Sequence, residues 1–199
     1  MGRVLTVTTS SPEETRILGA SLAPSLFPGD VISLTGDLGA GKTAFVQGLA
    51  SALGVETRVT SPSFTIVHTY QGQFPLVHMD VYRLDSFQEV IDLGFDELID
   101  PEAILVVEWG EAVAPLLPTR YLEIELRQPL GPEPENIRHV FLRPHGAEWL
   151  RKLEAMQRAA EALLDAVSPG VSEGGRFLDS SALLARDHSD RPAEPDEED

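Results

Sequence analysis

The 199-residue chain contains no cysteine. Disulfides, thiolate nucleophiles and Cys-ligated zinc or iron–sulfur centres are therefore excluded, and the absence agrees with a reducing compartment. Lysine is scarce as well, with Lys42 and Lys152 the only two. Acids outnumber bases 32 to 15, for a formal charge of −17. That balance argues against a high-affinity, counterion-releasing nucleic-acid binder, which needs clustered Lys and Arg. A local basic patch, or action on RNA through a partner, remains compatible with it. No apolar run exceeds a handful of residues, against the roughly 20 needed to span a bilayer. The N-terminal MGRVLTVTTSSPEETR lacks the apolar stretch and cleavage site of a signal peptide. The expectation is a soluble, cytoplasmic protein without membrane attachment. At 42% hydrophobic and 24% charged, the chain has the composition of one globular domain with appendages.

Local patterns give an order of elements. Residues 4–8 read as a strand. Ser11 as N-cap, Pro12 at the first helical position and Glu14 closing a capping box start a helix, whose stripe is Ile17, Leu18, Leu22 and Leu26. Val31–Thr35 is a short strand running into GDLGAGKT at 36–43, followed by a helix over 43–53. Phe64–Tyr70 and Leu76–Val81 read as a hairpin joined by Gln71-Gly72-Gln73. Ser86 and Glu89 form a second capping box before a short helix near Val90 and Ile91. Ala103–Val107 is a buried-strand signature, a short helix runs to Leu117, and Tyr121–Leu126 and Ile137–Leu142 are further strands. Helices alternating with apolar strands predict an α/β fold with later strands antiparallel at an edge. The division is a main domain over 1–145, an additional helix over 146–167 packed on or near the core, and an acidic, largely disordered tail over 168–199 with a short helix at 180–186.

Gly36-Asp37-Leu38-Gly39-Ala40-Gly41-Lys42-Thr43 matches G-x-x-x-x-G-K-[ST] in full. Glycines let successive N–H groups point into one cavity and hold phosphate oxygens. The following helix N-terminus, which includes Ala44, adds unpaired donors and a partial positive charge. Lys42 is suited to the β- and γ-phosphates, and Thr43 to a magnesium ion. Such a turn can match by chance, but the required strand before and helix after are both present. No guanine-reading N-K-x-D segment is evident, which favours ATP over GTP. Two acids at strand ends, Asp80 and Glu108, are candidates to complete the magnesium site. Strand alternation puts His78, Asp80 and Tyr82 on one face. His78 lacks neighbours for a convincing zinc set and reads as an orienting or packing residue. Trp109 is suited to stacking on a base or on a partner, or to the core. Thr60, Ser61, Ser63 and Thr65 offer hydroxyls where a switch segment senses the γ-phosphate.

These segments together, GDLGAGKT at 36–43, TSPSFTIVHTY at 60–70, HMDVYRL at 78–84, LGFDEL at 93–98 and VVEWGE at 106–111, resemble the TsaE (YjeE) family over roughly residues 10–145. The resemblance implies a P-loop NTPase-like, three-layer α/β fold around a mixed, mostly parallel central sheet, with 1–145 as the P-loop ATPase domain, of low intrinsic activity and required for threonylcarbamoyladenosine formation in tRNA. It implies that Lys42 and Thr43 bind phosphate and magnesium, and that Asp80 and Glu108 serve the metal and catalysis. Trp109 would lie near the nucleotide, and Thr60–Thr65 would form the switch-like loop. The implied partners are the TsaB and TsaD proteins, with tRNA reached only through them; TsaD, not the ATPase, transfers the threonylcarbamoyl group. Ser63 stands where the family often has threonine, which keeps the hydroxyl. Two other readings are a small-molecule kinase and a nucleotide-dependent binding module whose hydrolysis is incidental.

Overall fold

Eight strands form one sheet in the order β3-β4-β5-β2-β6-β7-β1-β8 in a computed structural model that describes residues 4–84, 87–92, 94–129, 134–167 and 177–179. Its centre is parallel. β4 (Leu76–Asp80), β5 (Ile104–Glu108) and β2 (Val31–Thr35) run side by side with β6 (Tyr121–Arg127). Of these, β4, β5 and β2 are covered on both faces, which is why Ala103–Val107 reads as a continuous apolar run rather than an alternating one. Flanking strands are antiparallel: β3 (Val67–Tyr70) against β4, then β7 (Arg138–His145), β1 (Leu5–Thr9) and β8 (Phe177–Asp179) beyond β6. The mixed sheet and its antiparallel edge are as the sequence predicts.

Two apolar clusters make the three layers. On one face α1 (Pro12–Leu22), α2 (Lys42–Ala52) and α5 (Ala147–Val167) pack over Ile32, Leu34, Val106, Ile124 and Leu142. On the other, α3 (Phe87–Asp92), α4 (Phe95–Leu98) and a 3-10 turn over Gly110–Leu116 cover Val31, Met79, Leu105 and Val107. β6 alternates cleanly: Leu122, Ile124 and Leu126 are fully buried, while Glu123, Glu125 and Arg127 form a charged ladder with Arg143 of β7 on the opposite face.

The helix α2, which begins at Lys42, is seated by two glycines. A Cβ on Gly48 would lie 1.9 Å from the carbonyl of Arg16, and one on Gly19 would lie 2.1 Å from the carbonyl of Phe45. Only glycine at both positions lets α1 and α2 approach backbone to backbone. At the start of α1, Ser11 Oγ accepts from the Glu14 amide at 3.1 Å. The returning arm differs from a standard capping box, because the Glu14 carboxylate accepts from the Ser10 amide and hydroxyl at 2.7 and 2.8 Å. In α5 the buried stripe is Trp149, Leu153, Met156, Ala160 and Leu164. Lys152 ties this helix to the turn before β2, its ammonium 2.5 Å from Asp30.

Four expectations change. Phe64–Ile66 is not strand, because the amides of Thr65 and Ile66 both donate to the Pro62 carbonyl and Ile66 adopts φ +66°; the β-branched pattern there is overridden by a turn. The first helix ends at Leu22 and passes into a 3-10 turn over Ala23–Ser25 at Pro24. β7 runs to His145 rather than Leu142. β8, pairing with the β1 edge, is unforeseen. Ser86, the 180–186 helix and the last dozen residues lie outside the described residues.

Candidate functional site

β2 delivers the chain into the glycine loop against β6: a Cβ on Gly36 would meet the Leu126 carbonyl at 2.1 Å. Gly41 then serves as a left-handed N-cap at φ +106°, with no side chain capping the helix. No acidic residue stands in the first turn of α2. The first-turn amides and the positive end of this helix are thus left to a ligand, the arrangement that favours an anion.

Lys42 is buried, with 4% exposure. Its ammonium donates to the carbonyls of Gly36 at 2.5 Å and Asp37 at 3.0 Å, and lies 3.7 Å from the centre of the Trp109 ring. Burial lowers its pKa below the usual lysine value, against the opposing pull of Glu108, Glu111, Asp80 and Asp37. Trp109 reaches this position through a left-handed backbone at φ +63°, which turns the chain out of β5 into the 3-10 turn. Non-glycine residues in that conformation cost of order 1–3 kcal/mol and concentrate at functional sites. Tyr82 packs on the other side of the network, its ring 4.8 Å from Trp109.

Asp80 and Glu108 are register partners at the ends of β4 and β5, and both are buried. Glu108 accepts from Thr43 Oγ1 at 2.9 and 3.2 Å, and its Oε1 lies 2.9 Å from His78 Nε2. With Glu108 ionised, Nε2 carries the proton; Nδ1 is buried without a hydrogen-bond partner. Asp80 Oδ2 accepts from the Ser61 and Ser63 hydroxyls, the latter at 2.9 Å, and Oδ1 accepts from the Tyr82 amide at 3.0 Å.

An open cavity of about 270 Å³ collects these groups. It takes Leu38, Gly39, Gly41, Lys42, Thr43 and Ala44 from loop and helix, together with Ser61, Ser63, Asp80, Glu108 and Trp109. Four residues predicted for the site do not line it. Asp37 contributes its carbonyl to Lys42. Ala40 is buried and lines a neighbouring cavity with Thr15 and Arg138. Thr60 is held by the Tyr70 hydroxyl at 3.3 Å, and the Thr65 amide donates to Pro62. Tyr82 lines the cavity and was assigned only to a strand face by the sequence. His78 is confirmed on the face of Asp80, and its partner turns out to be Glu108.

Among the described residues no group of three or more His, Cys, Asp or Glu is arranged to hold a metal by itself. A hydroxyl, a carboxylate and a neighbouring carboxylate facing a phosphate loop are instead hard oxygen donors of the sort magnesium takes when phosphates and waters complete its shell. The residues present fit that ion.

The fold and the loop define a P-loop α/β protein. Comparison narrows this: the sequence model of the family described as threonylcarbamoyl adenosine biosynthesis protein TsaE matches residues 9–133, and the chain belongs to that family. It is 44% identical over 121 residues to the tRNA threonylcarbamoyladenosine biosynthesis protein TsaE of Bacillus subtilis, covering 60% of this chain and 75% of that one. The protein of the same name from Treponema pallidum is 44% identical over 117 residues, 59% and 87% of the two chains. That of Streptomyces coelicolor is 41% identical over 138 residues, 67% and 93%. Among solved structures, Bacillus subtilis YdiB superposes with a TM-score of 0.68 at 34% identity, over 79% of this chain and 97% of that one.

Proposed function

We propose that the protein is a magnesium-dependent ATP-binding protein and weak ATPase. It supports the TsaB–TsaD pair in forming threonylcarbamoyladenosine in tRNA, resetting that complex between turnovers without transferring the threonylcarbamoyl group itself. Its place is the cytoplasm, and it meets tRNA only through its partners. The observation that carries the reading is the meeting of Lys42 and Thr43 of the glycine loop with Glu108 and Asp80 in one cavity. The relatives' names supply the pathway.

In this reading the loop amides hold the phosphates, and Lys42 exchanges the Gly36 and Asp37 carbonyls for β- and γ-phosphate oxygens. Thr43 and Glu108 would hold magnesium, with Asp80 beside them, and the ion would supply positive charge that offsets that of the phosphates. A second cavity of about 400 Å³, lined by Ser11, Thr15, Asn136 and Arg138, shares Gly39, Gly41 and Ala44 with the first.

The test is multiple-turnover threonylcarbamoylation of tRNA with purified TsaB–TsaD and its adenylate-generating enzyme, while released phosphate is counted. Modification beyond one round per complex is expected only with the intact protein and ATP, and not with Lys42→Ala. Equal turnover without the protein would overturn the pathway role. Absence of calorimetric ATP binding in the presence of magnesium would overturn the nucleotide reading.

A further inference from the structure

Arg138, the first residue of β7, lies beyond the stretch matched by the family model and 98 residues from Ala40 in sequence. Its guanidinium donates from Nε to the Ala40 carbonyl at 3.0 Å and from one terminal nitrogen to the Gly39 carbonyl at 3.2 Å. The other terminal nitrogen donates to the carbonyls of Glu135 and Ile137, both at 2.6 Å. The fork thus joins two backbone segments. The same turn is fastened to the start of α1, where the Asn136 amide donates to the Ser10 carbonyl.

A trans peptide is planar, and its C=O and the next N–H point in opposite directions. Holding the Gly39 and Ala40 carbonyls from outside therefore aims the amides of Ala40 and Gly41 the other way, into the loop. The Ala40 amide is used within the loop, donating to Asp37 at 3.1 Å. That leaves the Gly41 amide aimed toward the cavity. Gly39 and Gly41 both have positive φ and carry no Cβ, so the loop's own residues restrict its backbone least where phosphate recognition needs it fixed. A planar guanidinium with five donors in a rigid fork suits this task; a lysine ammonium is a single point.

We propose that Arg138 is a positioning residue for phosphate recognition: it braces the glycine loop from behind so that its amides are oriented before the ligand arrives. This rests on the reading of the loop as a nucleotide site, and its test separates the two. In the first arm, amide hydrogen exchange is followed in the ligand-free protein. Arg138→Met is expected to speed exchange at residues 39–43 and leave the interiors of α1, α2 and β5 as protected as before. Unchanged loop exchange, or loss of protection across the whole fold, overturns the brace whatever the protein binds. In the second arm, dissociation constants are measured for ATP and for inorganic tripolyphosphate. Both are expected to rise about tenfold in Arg138→Met, equivalent to about 1.4 kcal/mol, with partial recovery in Arg138→Lys and little change in kcat at saturating ATP. Weaker ATP binding with unaltered tripolyphosphate binding would mean that Arg138 contacts the nucleoside instead, and would overturn the proposal. Failure of the unaltered protein to bind either ligand would overturn the nucleotide reading, while the exchange arm still decides the brace.

Discussion

Asp80 and Glu108 end adjacent parallel strands in register, yet they are held by opposite kinds of structure. Glu108 is fastened to rigid elements: His78 on the neighbouring strand and Thr43 in the first turn of α2. Asp80 is fastened to a loop, through the hydroxyls of Ser61 and Ser63 and the amide of Tyr82. That loop is braced in turn by two amides on the Pro62 carbonyl and by a β-branched residue in a left-handed conformation at Ile66, a costly arrangement for such a side chain. One carboxylate is therefore fixed before any ligand arrives, whereas the other must be released by its loop before it can turn to anything else. A site that needs both a stable ion position and a segment sensitive to occupancy has the two built side by side.

Neutralising each acid in turn is expected to have the largest effect. Glu108→Gln keeps the shape and loses the charge at the fixed position, so ATP turnover is expected to fall by about 100-fold or more, the scale of losing one preorganised electrostatic group. Asp80→Asn, at the loop-held position, is expected to lower turnover less and to raise the magnesium requirement less. Steady-state phosphate release across a magnesium titration reads both; equal losses with equal magnesium shifts would end the distinction. Next in size is His78. As the residue that orients Glu108 from behind, it is comparable to an outer-shell partner, whose loss costs on the order of 10–100-fold in metal affinity. His78→Leu should raise the magnesium needed for half-maximal turnover by about tenfold, with metal-free ATP binding unaffected. His78→Gln, which keeps a donor near Nε2, should recover part of it. A smaller effect is expected from removing both loop hydroxyls: Ser61→Ala with Ser63→Ala frees Asp80 and should change turnover only a few-fold, about 1 kcal/mol or less per lost hydrogen bond. Its plainer signature is faster amide exchange over residues 61–66.

What could be read from the sequence follows from what is local. GDLGAGKT carries its geometry in eight consecutive residues, and the strand and helix around it are set by their own apolar patterns. Asp80 and Glu108 are recognisable as strand-end acids, and alternation puts His78 on the face of Asp80. That His78 reaches Glu108 depends on the register of β4 against β5, and register between parallel strands is written in no short segment. Arg138 is less visible still, since an arginine opening an alternating strand has the pattern of any edge residue. The turn at Phe64–Ile66 is missed for a different reason: Phe, Thr and Ile favour strands, but the Pro62 carbonyl captures two successive amides and the local pattern loses to that turn.

The last test sets the two acids against each other through Lys42. Burial is the main cause of its lowered pKa, and the anions that oppose it rank Glu108 ahead of Asp80. Phosphate binding needs the ammonium, so ATP affinity should start to decline with rising pH earlier than an ordinary lysine, which titrates near 10.5, would dictate. Stability moves the other way in that window. Between the lowered native value and the unfolded one the unfolded chain binds more protons, so this group contributes increasing stability as pH rises. Loss of affinity there is therefore not unfolding driven by Lys42. Removing a neighbouring anion lowers the value further, so the alkaline limb of ATP affinity should move to lower pH in both acid variants, and farther in Glu108→Gln than in Asp80→Asn. Calorimetric ATP binding at a series of alkaline pH values, without magnesium so that the ion does not mask the ammonium, reads the two displacements directly. A larger displacement in Asp80→Asn would mean that the loop-held acid, not the fixed one, sets the field at Lys42. The division of labour between the two carboxylates would then have to be reversed.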